Sequence, residues 1–380
     1  MKSNILSGGR RIAMVSFLMA CCVCVWGQKN TVGTYVFKAD KSVYEGDLVS
    51  GKPFGKGKTT FKNGDVYEGG YVKGKREGYG VYTFADGEKY EGYWFQDHQH
   101  GMGTYYFANQ NKYDGAWYKD YQEGEGTMYY HNGDTYDGNW HQDKREGVGT
   151  YLWANGMKYE GGWLGDKKSG DGRFDWADGE SYVGHMDNDM RNGRGTYVYA
   201  NGDIYDGNWR DDLMEGRGIY SFANGDKYEG DYQKGLRSGQ GIFTYADKRK
   251  YFGTFKNGQM EGFGTYTWPD GSRYEGYWVA DKQEGRGKYT SANGDIYDGA
   301  WSDGEMHGDG IMRMKDGTNV KGHFVKGQKH GKFIEENADG TRFEGNYVND
   351  LRDGAFVERD KSGAVTRRGY YHNGKAEFSN

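Results

Sequence analysis

A Tyr recurs every 23 residues, at Tyr44, Tyr67, Tyr90, Tyr113, Tyr136, Tyr159, Tyr182, Tyr205, Tyr228, Tyr251, Tyr274 and Tyr297; Val320 and Phe343 continue the same phase. These fourteen copies follow one another without insertion. Strict self-similarity at such a period restricts the chain to a stack of identical supersecondary units, each contacting its neighbours, in place of a single central core.

The unit is legible position by position, counting the opening residue as zero. Position +2 is Gly in all fourteen copies, from Gly46 to Gly345, and so is +11, from Gly55 to Gly354. Position +13 is Gly in twelve, with Phe333 and Phe356 as exceptions; +20 is Gly in twelve, with Gln110 and Lys248 as exceptions. Position +4 is aromatic in twelve copies, seven of them Trp, with Leu48 and Met186 elsewhere. Positions 0, +2 and +4 share a period of two, one face of a strand. Positions +13, +15 and +17 repeat the device, as in Gly195, Tyr197 and Tyr199. Each copy therefore reads as two short strands with rings on one face. The notch left by Gly lets flanking rings lie flat. Turns separate the strands. Ala85-Asp86-Gly87-Glu88 and Ala200-Asn201-Gly202-Asp203 carry the strongest short hairpin signal. Gly or Asp at +7, as in Gly74 and Asp97, suits a left-handed residue in the other turn.

The pattern Tyr-x-Gly-x-Trp-x-x-Gly-x-x-x-Gly-x-Gly, well carried by residues 67–80, resembles the MORN repeat over about residues 44 to 356. The resemblance implies an elongated, twisted antiparallel sheet of successive β-hairpins, one per repeat, with an aromatic-lined groove. That groove would be lined by Tyr90, Trp94, Tyr113, Trp117, Tyr136, Trp140, Tyr159, Trp163, Tyr205, Trp209, Tyr274, Trp278, Tyr297 and Trp301. Val320, Phe333 and Phe356 depart from the pattern, as terminal repeats often do. Fourteen hairpins give 28 strands, and at ~4.8 Å per strand a sheet on the order of 130 Å long. In larger proteins such repeats are joined to lipid kinase or lysine methyltransferase domains. Here the repeats take up the length, and no enzyme domain is expected.

The chain has 67 glycines, and the four repeat positions account for 52 of them, so Gly richness reflects the repeat and not low complexity. An aromatic content of 17% opposes disorder. Only Pro53 and Pro269 interrupt the backbone chemistry, and no long apolar helical periodicity follows the first residues, so the fold class is all-β.

Residues 1–27 read as a secretory signal peptide. Lys2, Arg10 and Arg11 precede an apolar run from Ile12 to Trp26, too short for a membrane span of roughly 20 residues. Val25 and Gly27 suit cleavage before Gln28. A rival reading is a lipobox at Leu18-Met19-Ala20-Cys21, with lipid on Cys21; a retained anchor is the third. All three cysteines lie here, so a cleaved chain has no thiol chemistry. Residues 28–43, with Gly33-Thr34-Tyr35-Val36-Phe37, read as a half-repeat cap, 44–356 as the array, and 357–380 as an eroded repeat and polar tail. The expected location is the periplasm, the cell surface or the medium.

Losing the three leader cations takes the net charge from −5 to −8. A mildly acidic chain with interspersed signs excludes nucleic acid as an expected partner and leaves a membrane reachable only through a lipidated or uncleaved leader.

Position +1 is acidic in eleven copies, from Glu45 to Glu344, usually beside Lys or Arg at −1. Such a row fits a solvated face better than calcium or acid–base chemistry, since a catalytic pair is needed once. His100, His307 and His330 share +10, a loop position. Gly51 to Thr59 only superficially resembles a phosphate loop: its first Gly is misplaced and no helix follows. No catalytic residue, metal or cofactor is expected. The expected function is a non-enzymatic scaffold that binds protein, or itself, through its surface. A glycan- or wall-binding module is the alternative, and a phospholipid-binding module the next.

Overall fold

The computed structural model describes residues 30–378. The proposed leader, with Cys21 and the Gly27 cleavage point, lies outside the described residues. Those residues form 32 strands and no helix, and their strands pair antiparallel. They divide into two compact units, residues 30–108 with 118–120, and residues 109–117 with 121–378. In the first, successive strands from Asn30–Val36 to His98–Tyr106 pair in chain order. In the second, the strands from Tyr121–Tyr129 onward do the same, each hairpin pairing with the next.

The copy beginning at Tyr136 shows why the sequence folds this way. Thr135–His141 and Lys144–Leu152 are joined by Gln142 and Asp143, both left-handed at φ 47° and 66°. This is a two-residue primed turn, whose twist matches that of the strands. The expected hairpin signal at +18 to +21 behaves differently. Gly87 and Gly202 have φ of 95° and 88°, but Asp86 and Asn201 are not left-handed. Here the +17 residue caps the turn: the Trp153 N–H donates to the Met157 carbonyl and the Gly156 N–H to the Trp153 carbonyl, both at 2.9 Å. The Gly at +11 has a separate cause. All fourteen have φ between 62° and 110°, and the register slips beside them, between Gly138 and Trp140 in this copy. A left-handed Gly at such a slip is a β-bulge.

The glycines at +2 and +13 serve space. Gly138 and Gly149 face each other across the hairpin, and the Tyr136 ring lies over both. Its hydroxyl donates to the Asn139 carbonyl at 3.0 Å, and the same bond recurs from Tyr44 to Tyr297 at 2.7 to 3.1 Å. Burial pushes the Tyr159 and Tyr182 hydroxyls up to about 12.

The last copies solve the same problem from the other strand. Where Phe333 replaces the +13 Gly, Val320 replaces the Tyr, and the Phe333 ring covers Gly322, 1% exposed. A ring is thus still present; its donor has moved to the second strand. In the final array copy Phe343 and Phe356 stack at 5.9 Å, and the second strand is split into Leu351–Arg352 and Gly354–Arg359. Beside them Glu335 takes the place of a ring. It is held by Lys329 Nζ at 2.6 Å, the Tyr347 hydroxyl at 2.7 Å and Arg352 at 2.8 Å, while the Arg352 guanidinium lies 3.8 Å from the Phe343 centroid.

Candidate functional site

The fourteen rings expected to line a groove are all buried, between 0 and 8% exposed. They form the interior of the stack. Trp163 lies 5.3 Å from Tyr159 of its own copy and 5.3 Å from Tyr136 of the preceding one, at 84° and 81°. Edge-to-face pairs of this kind add stability beyond area. The Trp163 indole donates to the Gly149 carbonyl at 3.1 Å, and Trp94, Trp140, Trp209, Trp278 and Trp301 make the equivalent bond. Arg145 then lies over Trp163 at 4.3 Å and is fixed by Asp166 at 3.1 Å; Arg76 and Arg191 do the same over Trp94 and Trp209. The rings and the glycines beneath them leave no open groove at these positions.

Two other surfaces are open. The first is a row of rings at +15 and +17, in which the +17 rings are half-buried and several +15 rings, such as Phe174 and Tyr197, are buried. In the second unit it runs without interruption from Tyr130 through Tyr151, Trp153, Phe174 and Trp176 to Tyr289, with centroids 4.3 to 6.0 Å apart. The +15 hydroxyls bind the +21 carboxylate of the preceding copy, Tyr151 to Asp134 at 2.8 Å and Tyr220 to Asp203 at 2.9 Å. The Ala223 N–H, against a smaller burial cost and helped by the Tyr220 hydroxyl, holds Asp203 below the usual carboxylate range.

The second surface is on the opposite face of the first unit. Tyr79, Tyr93, Phe95, Met102, Tyr106 and Tyr118 are 36 to 58% exposed. Tyr79 and Tyr93 are cross-strand partners with ring centroids 5.8 Å apart. His100 stands between Phe95 at 5.6 Å and Tyr118 at 5.3 Å. This patch was not anticipated from the sequence. Its signal was an apolar residue at +12 matched by another at +3 of the next copy. That register pairs Asp171 with His185, Gln240 with Thr254, and Phe263 with Tyr277 in the second unit.

The acidic +1 row is drawn into ion pairs with the adjacent cations, Lys89–Glu91 at 2.8 Å and Lys158–Glu160 at 2.7 Å, and similarly at Arg342–Glu344. Among the described residues no group of three or more His, Cys, Asp or Glu is placed to hold a metal ion.

The MORN repeat model matches thirteen successive segments, the first twelve beginning at residues 44 to 297 and the last spanning 321–342. The chain belongs to the MORN-repeat family. No curated protein matches it. Solved structures similar to parts of this MORN chain include the TCP domain of Drosophila melanogaster SAS-4 in complex with a proline-rich motif of Ana2, at 17% identity and TM-score 0.28, covering 41% of this chain and 84% of that one. Another is the TCP10 domain of Danio rerio CPAP, at 14% identity and TM-score 0.24, covering 61% of this chain and 97% of that one. A third is virginiamycin B lyase from Staphylococcus aureus, at 10% identity and TM-score 0.13, covering 81% and 96%. Scores this low do not bear on what the MORN array binds.

Proposed function

We propose that this MORN array is a non-enzymatic scaffold exported to a bacterial cell envelope, and that its exposed aromatic patch in the first unit holds a partner protein. The observation that carries this reading is the patch itself. The family-defining residues at 0, +2, +4, +11 and +13 all have structural duties, whereas Tyr79, Tyr93, Phe95 and Tyr118 leave large apolar rings in solvent. Contiguous exposed apolar area rimmed by polar groups is characteristic of protein interaction sites, and Tyr is favoured there. The apolar leader supports export.

The test uses residues 28–380 immobilised and exposed to solubilised envelope. The native chain is expected to retain a defined protein that the variant Tyr93→Ser, Phe95→Ser, Tyr118→Ser loses while its β-sheet circular dichroism is unchanged. Equal retention by both would place the interaction elsewhere. Retention of wall glycan and no protein would favour the alternative function.

The same reading makes a prediction about membranes. The leaderless chain carries −8, and most of its −1 cations stand beside a +1 carboxylate, as in the pairs Lys89–Glu91, Lys158–Glu160 and Lys227–Glu229. Each unopposed Lys or Arg near an anionic surface is worth about 1 kcal/mol, and several are needed for attachment. Residues 28–380 will stay in the supernatant with phosphatidylserine vesicles at physiological salt. Salt-sensitive cosedimentation would revive lipid binding.

A further inference from the structure

The row of rings at +15 and +17 has a regularity that the patch lacks. In four consecutive copies the +17 residue is Tyr130, Trp153, Trp176 and Tyr199. All four are half-buried. None of their polar hydrogens is directed to another described residue, whereas the buried indoles at +4 each bind a carbonyl. Each of these four repeats therefore carries one donor without a partner among the described residues. A repeat advances by two strands, about 9.6 Å. A polyproline II helix advances about 9.3 Å per turn of three residues. It has no internal hydrogen bonds, so it offers an unsatisfied carbonyl toward any given side once per turn.

The ring geometry narrows the occupant further. The +15 and +17 rings are packed against one another at 4.4 Å for Tyr151–Trp153, 4.3 Å for Phe174–Trp176 and 4.5 Å for Tyr197–Tyr199. Trp153 thus has Tyr151 and Phe174 as ring neighbours, and Trp176 has Phe174 and Tyr197, at 4.3 to 5.3 Å. A sugar stacks on a free ring face; a proline ring sits between ridges. Charge points the same way. The turns at 130–134, 153–157, 176–180 and 199–203 carry Asp134, Asp178, Glu180 and Asp203 and no Lys or Arg. The nearest cations, Arg145, Lys168 and Arg191, are already paired with Asp166, Asp189 and Asp212.

We infer that the rail from Tyr130 to Tyr199 binds a proline-rich peptide in the polyproline II conformation with basic residues at its flanks. Its prolines lie between the ring ridges, and one backbone carbonyl per turn accepts from a +17 donor. This is the physics by which aromatic grooves select preformed polyproline helices elsewhere. The proposal does not rest on the outer patch, which lies in the other unit.

The test is titration calorimetry and tryptophan fluorescence on residues 28–380 with an arginine-flanked oligoproline long enough to cross four repeats. Comparators are the same peptide with glycine and serine replacing proline, and chitin oligosaccharides. Saturable binding of the oligoproline alone is expected. Trp153→Phe and Trp176→Phe keep the ring and remove the donor. Each should weaken binding roughly five-fold, the value of one hydrogen bond of about 1 kcal/mol, with an unchanged circular dichroism spectrum. Tyr93→Ser should leave the affinity as it is. No binding, equal binding of the glycine–serine peptide, selective binding of the oligosaccharide, or insensitivity to both Phe variants would overturn the inference. None of these outcomes would alter patch-dependent capture of a partner protein, so the two readings fail separately.

Discussion

In thermal melts Gly138→Val will lower the transition of the mature chain well below that of Asn139→Val. The two positions are adjacent, and the same side chain is introduced at each. A Cβ on Gly138 would stand 2.5 Å from the Gly149 Cα and 2.7 Å from both the Tyr136 hydroxyl and the Val148 carbonyl. Two of these three neighbours are backbone and cannot turn aside. The Tyr136 ring can leave only by giving up its bond to the Asn139 carbonyl and its edge contacts with Trp140 and Trp163, at 5.1 and 5.3 Å. Overpacking costs roughly 1–3 kcal/mol, and a site bounded by backbone should reach the upper end. Asn139 is half-buried on the opposite face, and its side chain makes one long contact, 3.4 Å to the Val148 N–H. Its replacement should stay within about 0.5 kcal/mol. Equal shifts would mean that Tyr136 does not roof the glycine pair.

Deleting residues 136–158 will be tolerated, and deleting 136–150 will unfold the surrounding copies. The first cut joins Thr135 to Tyr159, so that the Tyr159 hairpin meets the strand Tyr121–Tyr129 in the place of its predecessor. Most contacts that crossed the lost copy have an equivalent. Trp163 can donate to the Gly126 carbonyl as Trp140 now does. Asp166 can accept from the Gln122 N–H in place of Asp143. Three contacts are exceptions: Gln122 stands where Arg145 lies over Trp163, Phe174 has no hydroxyl to replace that of Tyr151 on Asp134, and Leu164 cannot replace His141 beside Glu123. Stability in such arrays is approximately a sum over copies and interfaces, so the deletion removes one copy's share. The second cut leaves residues 151–158 without their hairpin. Tyr151 loses its register partner Tyr136, and the Gly138–Gly149 pair disappears. Limited proteolysis should find the first variant as resistant as the native chain and the second cleaved at the junction. Similar digestion of the two would show that the 23-residue copy is not the unit that folds.

Much of the architecture was legible because the repeat states it fourteen times. The all-β class, the two strands per copy and the ring-bearing face follow from the alternation at 0, +2 and +4 and again at +13, +15 and +17. The turns were half legible. Asp at +7 marks a left-handed residue, as found at Asp143, but the primed turn sits there and not at Asn-Gly, where only the Gly is left-handed. Residue preference identifies a turn; the strands flanking it decide which type closes. The departures at Val320 and Phe333 looked like erosion and are a compensated exchange, visible only once Phe333 is placed opposite Gly322.

What the sequence determined by itself is the period, the hairpin in each copy and the four Gly positions. Two of these depend on backbone angle and two on space. What only the tertiary structure decided is which aromatic residues are open. Tyr136 and Trp140 are as aromatic as Tyr93 and Tyr118, and periodicity assigns each to a face, but exposure depends on what comes to rest against that face. On the ring side Tyr136 folds over its own glycines and Trp163 of the next copy closes on it. On the other side Tyr79 and Tyr93, fourteen residues apart, become neighbours through a register that crosses between copies, and both remain more than half exposed.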